Sequence, residues 1–523
     1  MEHAPSLHIV DYAIIILSFL VSLAVGLGFA RRQKNTSNYF IASGRLPSWA
    51  IGISILATLI SSITFLAYPG AGFKSNWILL VQGLMVPVVL VLIVRFIVPL
   101  FRQVIRLSAY EYFERRFGVF ARMYSSIGFA FAHFSKMGTV FFLLSLTLSQ
   151  MTGFDTVTMI WVVGAVVVLI TILGGMEAIV WLDVIQGFML IAGGVISLLI
   201  ILFSTEGGPV AVWQVAAENG HIGFGPFDLD FVNRTFIVMV LNGIFYAIQK
   251  YGTDQTIVQR YLTAKSDKDA VKASLIGVLL SVPVWALFMF IGTALFAYYQ
   301  ISGDPLPANI NPDAVFPHFI MTRLPVGVVG LVISALIAAA ISTLDTDLNC
   351  LSAICVEDYY SRLKPGITEK ERMLMSKIFI VLAGLGAIAI ALIYVRLGSE
   401  GVLGTIFALY AIFSGGIAGM FLLGIFSRRA NMKGLYFGIG ASVLFTAYAL
   451  LTSTPVFWAG KERILVDLGR FNFPHHEYMI GVYSHILLFV VGYVASLFFK
   501  NEKDIRSLTY YGYLDMKRGK SNN

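Results

Sequence analysis

Apolar runs long enough to cross a bilayer recur along the whole of this 523-residue chain, and no other feature constrains its fold as strongly. A helix needs about 20 consecutive apolar residues to span the hydrocarbon layer. Thirteen spans are expected, at roughly 9–30, 48–73, 76–100, 123–150, 156–174, 178–203, 235–250, 272–298, 325–353, 374–396, 401–427, 434–453 and 479–499. The first is too long for a signal peptide and lacks the basic flank that one carries. With 58% hydrophobic residues, 13% charged residues and a mean hydropathy of +0.81, the chain reads as an all-α polytopic membrane protein.

Charge placement gives an independent test of these spans. With the N-terminus outside, the odd-numbered junctions and the tail fall in the cytoplasm and hold 28 of the 37 Lys and Arg residues. The opposite side holds seven: Lys74, Arg234, Arg323, Arg396, Lys461, Arg463 and Arg470. Such an asymmetry sets orientation by the positive-inside rule. The net charge of +8 is thereby a topological signal, and no nucleic-acid partner need be invoked. Cys350 and Cys355 fall in or near one helix, so no disulfide framework is indicated. The longest loops, 204–233, 299–324 and 454–478, fall outside, and no segment has the length and polarity of a separate soluble domain. A phosphate-binding Gly-rich loop is absent. Any chemistry belongs to the helical bundle.

Within that bundle, 326–349 is the most telling stretch. A nearly apolar run leads without interruption into Ser342-Thr343-Leu344-Asp345-Thr346-Asp347. On a helix Ala339, Ser342, Thr343 and Thr346 share one face, with Asp345 and Asp347 flanking it. Hydroxyls and carboxylates at that depth are costly and mark an ion or substrate path. A row of hard oxygen donors suits a small alkali cation better than a transition metal. The competing reading has the hydroxyls bonding to the preceding turn and the acids meeting water near the helix end.

Two spans are expected to be broken. In 49–73 the apolar pattern is interrupted by Thr58, Ser61, Ser62 and Thr64, then by Pro69-Gly70-Ala71-Gly72. The short apolar stretch 236–247 contains Asn242-Gly243 and fades into Gln249-Lys250-Tyr251-Gly252-Thr253-Asp254. These open two sets of five spans, 48–203 and 235–427, and an odd number gives the sets opposite orientation. Interrupted helices in inverted halves point to a secondary transporter with its site at the repeat interface. Ordinary Gly- and Ser-mediated helix packing is the alternative.

Several motifs resemble the sodium:solute symporters, the family of the sodium–glucose and bacterial sodium–sialic acid transporters. They are Ser108-Ala109-Tyr110-Glu111-Tyr112-Phe113-Glu114-Arg115-Arg116-Phe117, Gly174-Gly175-Met176-Glu177-Ala178-Ile179-Val180-Trp181-Leu182-Asp183-Val184-Ile185-Gln186, Asp254-Gln255-Thr256-Ile257-Val258-Gln259-Arg260-Tyr261 and Leu422-Leu423-Gly424-Ile425-Phe426-Ser427-Arg428-Arg429-Ala430-Asn431. The resemblance implies an inverted 5+5 helix repeat of the leucine-transporter type. It divides the chain into an extra helix and basic loop (1–47), a first repeat (48–203), an outer loop (204–234), a second repeat (235–427), two C-terminal helices (428–499) and a tail (500–523).

The same resemblance implies site residues. A first sodium site takes the carbonyls of Ala57, Ile60 and Ala339 and the hydroxyls of Ser342 and Thr343. A second, deeper site takes Asp183, Ser342, Asp345 and Thr346; Asp345 departs from the sialic acid transporters, which place a serine there. Asp183 has a second reading as a helix N-terminal cap. Substrate positions map to Ser61, Thr64, Gln82 and Lys136. Lys136 replaces an Arg that holds the substrate carboxylate, and supplies a point charge in place of a bidentate fork. An ion pair of Lys136 with Asp345 or Asp347 is the other reading. Leu59 stands where those transporters have a hydroxyl, and Gly83 where they have a side-chain amide.

The expected function is a sodium-coupled symporter importing a small organic solute by alternating access, with Na+ as the coupling ion. The solute is expected to be a carboxylate-bearing sugar such as sialic acid, or another organic anion. A neutral sugar or inositol symporter and a proton-coupled transporter of the same fold are the alternatives. A membrane enzyme would need a converging metal or nucleophile set, and the eight His do not cluster in the spans. A channel would show a repeated filter loop, and none is visible. No obligatory protein partner is evident. The expected location is the cell membrane, as a multi-pass protein of a bacterial inner membrane with the N-terminus outside and the C-terminus in the cytoplasm.

Overall fold

The computed structural model describes residues 7–30, 35–105, 107–307, 310–397, 415–453, 455–458, 461–500 and 506–521. Its principal helices are α1 (Ile9–Ala30), α2 (Ser48–Leu59), α3 (Ser62–Lys74), α4 (Leu80–Val104), α5 (Val119–Thr152), α6 (Thr156–Ser204) and α7 (Phe236–Gly252). They continue with α8 (Gln255–Thr263), α9 (Asp267–Ser302), α10 (Val328–Ile354), α11 (Glu369–Leu397), α12 (Ile417–Phe426), α13 (Met432–Ser453) and α14 (Glu477–Ser496). One two-stranded antiparallel hairpin, β1 (Pro455–Trp458) and β2 (Lys461–Ile464), follows α13.

Among the described residues nine helices are long and apolar enough to cross a membrane, or ten with α2 and α3 taken as one bent span. The expected thirteen is not reached by this measure. Helices α7 and α12 are shorter apolar helices, and most of the expected span 401–427 lies outside the described residues. The expected spans 156–174 and 178–203 are joined in α6, whose 49 residues far exceed one bilayer crossing. The join is kinked at Gly175, whose φ of 58° and ψ of −170° no L-residue adopts comfortably.

The first expected break is present, and its location is narrow. Helices α2 and α3 meet at an angle of 57° across Ile60 and Ser61, both in extended conformation. The Pro69–Gly72 segment, expected to interrupt the span, stays helical inside α3. Its glycines serve close approach: a Cβ on Gly72 would sit 2.2 Å from the Met289 carbonyl of α9. Gly292 meets Pro69 as tightly, with 1.9 Å to its carbonyl. The second break falls at Thr253 and Asp254, where the apolar pattern fades. Helix α7 runs unbroken through Asn242-Gly243 and ends at Thr253, and Asp254 then caps α8 by accepting from the Thr256 N–H. Gly243 is again an approach point, where a Cβ would meet Gln82 of α4 at 2.8 Å.

Helix α10 is the axis of the bundle. Nearly every one of its residues is buried, including Ser342, Thr343, Asp345, Thr346, Asp347 and Asn349. It packs on α6 and is flanked by α1, α2, α5 and α11. Its start is held by Asp11 of α1, which accepts from the Gly327 and Gly330 N–H groups at 2.8 Å each. Two of the orphan donors at a helix N-terminus are thereby satisfied from a neighbouring helix.

Candidate ion and solute site

The break between α2 and α3 leaves helix-terminal carbonyls without intrahelical donors. Of the last turn of α2, Leu56 is satisfied by the Ile60 N–H at 3.0 Å. Ala57 and Ile60, the two expected carbonyl ligands, are buried at this end, and α2 packs against α10. On α10 the Thr343 hydroxyl donates to the Ala339 carbonyl at 3.1 Å, placing two more expected donors on one turn. A hydroxyl that donates its proton still offers lone pairs to a cation. Helix α6 closes the third side, since a Cβ on Gly187 would lie 3.2 Å from Ile53 and 3.9 Å from Ala57.

Asp183 is the hub of the deeper set. Its carboxylate accepts from Ser342 Oγ and Ser54 Oγ at 2.5 Å each. It also pairs with Arg260 at 2.8 Å, and neither side chain is exposed. Arg260 extends further, to the Thr346 hydroxyl at 2.9 Å, Ser54 at 2.8 Å and the Thr256 carbonyl at 2.7 Å. Four helices, α2, α6, α8 and α10, are thus tied through one guanidinium. The structure brings together Asp183, Ser342 and Thr346, and adds Arg260 among them. The alternative reading of Asp183 as a helix cap does not describe it: it lies inside α6, two helical turns past Gly175. Asp345 is equally buried, and neither of its oxygens makes a hydrogen bond of ordinary geometry among the described residues.

Lys136 is met by a protein carboxylate. Its Nζ lies 2.9 and 3.1 Å from the two oxygens of Asp347. His133 Nδ1 contacts the same carboxylate at 2.8 Å, and its other ring nitrogen lies 3.4 Å from Asp254, which pairs with Lys250 at 2.6 Å. A chain of polar contacts therefore runs from Lys136 and His133 of α5 through Asp347 of α10 to Asp254 at the α7–α8 break. Beside it a cavity of about 30 Å³, lined by Tyr110, His133, Gln249 and Asp254, has room for one water.

The remaining substrate positions stand apart from Lys136. Ser61 is half-buried at the break, Thr64 is buried in the first turn of α3, and Gln82 is half-buried on α4. No hydrogen bond links these three side chains to one another or to Lys136 among the described residues. Gly83 is roofed by Trp285, whose ring would lie 2.6 Å from an added Cβ. A side chain at that position would collide with the ring.

Sequence reasoning did not find Arg260, Ser54 or His133 as partners. Arg260 sits in α8, where every residue is buried. Its apolar residues Ile257, Val258, Tyr261 and Leu262 share one side, the pattern of a half-exposed helix, so nothing in the periodicity signals that the polar side around Arg260 is buried as well.

Similarity to known proteins agrees with this architecture. The chain is 31% identical to the sodium/sialic acid symporter NanT of Aliivibrio fischeri over 95% of both chains. It is 33% identical to the sodium/sialic acid symporter SiaT of Proteus mirabilis, covering 83% of this chain and 88% of that one. A solved structure of a Na+-coupled sialic acid symporter, substrate-bound and outward-open, superposes with a TM-score of 0.85 at 30% identity, covering 95% of this chain and 99% of the other. The fold is thus a nearly all-helical inverted repeat of the leucine-transporter type. The family model for sodium:solute symporters matches residues 39–440, and the chain belongs to the sodium:solute symporter family.

Proposed function

We propose that this protein is a sodium-coupled symporter that imports a carboxylate-bearing sugar of the sialic acid class by alternating access. The observation that carries the reading is the full-length likeness, at a TM-score of 0.85, to a symporter with that substrate. The hydroxyl row of α10 facing the α2–α3 break supports it. Sodium at Ala57, Ile60, Ala339, Ser342 and Thr343 would join the broken helix to the bundle axis and favour the solute-binding state. Loss of sodium to a low-sodium cytoplasm would release both. A solute selective for the sodium-occupied state is driven by its differential affinity for the two states.

The second site of this reading comprises Asp183, Ser342, Asp345 and Thr346, with Arg260 as a fixed counter-charge to Asp183. The repeats are 48–203 and 235–427, and the 28 to 7 distribution of Lys and Arg supports an outside N-terminus in a cell membrane. One observation favours a neutral sugar or inositol as the solute: Lys136 is already paired with Asp347. Uptake into vesicles, with and without a sodium gradient, tests both. Labelled sialic acids, monocarboxylates, hexoses and inositol form the panel. Gradient-dependent uptake of a sialic acid alone supports the first reading; uptake of hexose or inositol alone moves the protein to the second.

A further inference from the structure

At the sparsely charged end of the bundle two cavities lie side by side. One, of about 310 Å³, is apolar and lined by Trp77, Leu80, Trp213, Ala286, Leu287 and Phe290. The other, of about 410 Å³, is polar and lined by Lys74, Asn76, Asn219, His221 and Arg234, among others. They adjoin at two points. Trp77 of the first is the chain neighbour of Asn76 and Ile78 of the second. Trp213 lies within the short helix Gly208–Glu218, and Asn219 caps its end, roughly 9 Å away at the rise of an α-helix.

The walls are rigid. Trp77, Trp213 and Phe290 pack edge-on with centroids 6.2–6.3 Å apart, and the Trp77 indole donates to Thr293 at 2.9 Å. Asn76 is spent on the Gly225 carbonyl and the Ile78 N–H, Asn219 on Val215, and His221 on the Gly72 carbonyl. What the polar cavity still offers is the Lys74 ammonium and the Arg234 guanidinium. Neither makes an ion pair among the described residues, although the Asp313 carboxylate lies within electrostatic reach of Lys74. Trp213 is 49% exposed at this apolar face.

We propose that the paired cavities bind an anionic phospholipid, with the phosphate between Lys74 and Arg234 and an acyl chain along Trp77, Trp213 and Phe290. Charge and apolarity are separated here as they are in such a lipid, and aromatic side chains with polar edges favour the headgroup level of a membrane. A basic pocket at the membrane edge, next to an apolar groove, is a means of recognising anionic headgroups. The site reaches the broken helix. Lys74 ends α3, the outer arm of the broken helix, and α9, which lines the groove, touches α3 backbone to backbone at Gly72 and Gly292.

The test uses the full-length protein in detergent with added phosphatidylglycerol, phosphatidylcholine, or glycerol 3-phosphate. Phosphatidylglycerol should raise the melting temperature beyond phosphatidylcholine, and glycerol 3-phosphate should leave it unmoved. The double variant Lys74→Gln/Arg234→Gln should lose the difference between the two lipids while melting as wild type does in phosphatidylcholine. Trp213→Ser should lower the response to both lipids. Equal stabilisation of wild type by the two lipids overturns the proposal, as does selectivity that survives in the double variant. Stabilisation by glycerol 3-phosphate alone overturns it too, since the cavity is then a simple anion site. Should the double variant fail to fold, Lys74→Arg/Arg234→Lys must retain selectivity, and native mass spectrometry of wild type must show retained phosphatidylglycerol.

Discussion

Arg260 and Asp183 are joined by a 2.8 Å ion pair in which neither side chain is exposed. The pair fixes α8 to α6, and through Ser54 and Ser342 it reaches α2 and α10. Taking two charges out of water is costly, and the cost is offset only when every donor and acceptor is used. Here the carboxylate accepts two hydroxyls and the guanidinium adds Thr346, Ser54 and the Thr256 carbonyl. The geometry is that of a fixed structural charge, beside which a mobile cation can exchange.

Breaking the pair from one side should therefore unfold more than it uncouples. Arg260→Gln or Asp183→Asn alone leaves a buried charge, at a cost of about 3–5 kcal/mol. The double variant Arg260→Gln/Asp183→Asn should recover a large part of the lost melting temperature in detergent. Equal destabilisation by the single and double variants would show that the two residues act separately.

With Asp183 paired to Arg260, Asp345 is the unpaired carboxylate of the proposed second sodium site. It is fully buried, and an unpaired buried charge is untenable without a partner. Asp345→Asn should reduce the sodium dependence of transport from a Hill coefficient above 1 to one near 1, with the protein still folded. Unchanged steepness in this variant would remove Asp345 from sodium binding.

Ser342→Ala and Thr343→Ala each delete one of the hydroxyls proposed as ligands of the first site. Both should raise the sodium concentration for half-maximal transport by about tenfold, equivalent to 1.4 kcal/mol. Thr343→Ala is the cleaner test. Its hydroxyl bonds only the preceding turn at Ala339, whereas that of Ser342 also supports Asp183. Wild-type sodium activation in both variants would dissolve the first site.

Much of this architecture was legible because lipid leaves so few solutions. Long apolar runs gave most of the spans, and the hydroxyls buried in α10 stood out against their apolar neighbours. The first break was foreseen from Ser61 and Thr64, but Pro69-Gly70-Ala71-Gly72 pointed to a second interruption that is absent. Glycine and proline signal both chain breaks and close packing, and only the partner helix distinguishes them; here that partner is Met289 and Gly292 of α9. The partner of Lys136 was within reach, since Asp347 is one of the two carboxylates the sequence offers it. The partner of Asp183 was hidden for another reason: Arg260 lies far along the chain from it, and pairing across a bundle leaves no local pattern.

Gly83 offers a direct check on the solute pocket. A side chain there would collide with Trp285, and overpacking of this kind costs about 1–3 kcal/mol. Gly83→Asn should lower the melting temperature, and Trp285→Ala in the same chain should restore part of it. A Gly83→Asn protein as stable as wild type would mean that Trp285 moves freely.

The pairing of Lys136 with Asp347 decides the charge of the solute. An ammonium at this depth must meet an anion, and in this structure the anion belongs to the protein. If the pair is permanent, Lys136→Gln leaves Asp347 with only His133 beside it and should lower the melting temperature markedly. Asp347→Asn in that background should then restore stability, and neutral sugars should be transported. If the solute carboxylate displaces Asp347 during transport, Lys136→Gln should instead raise the KM for a sialic acid at least tenfold. Protein abundance should then change little, because His133 stands ready to hold the released Asp347. Melting curves of wild type and Lys136→Gln, each with and without a sialic acid, separate the two. We expect the second pattern: the sialic acid stabilises wild type and loses its effect in the variant. Stabilisation of wild type by hexose or inositol, with acids inert, would defeat it and leave Lys136 as a structural cation.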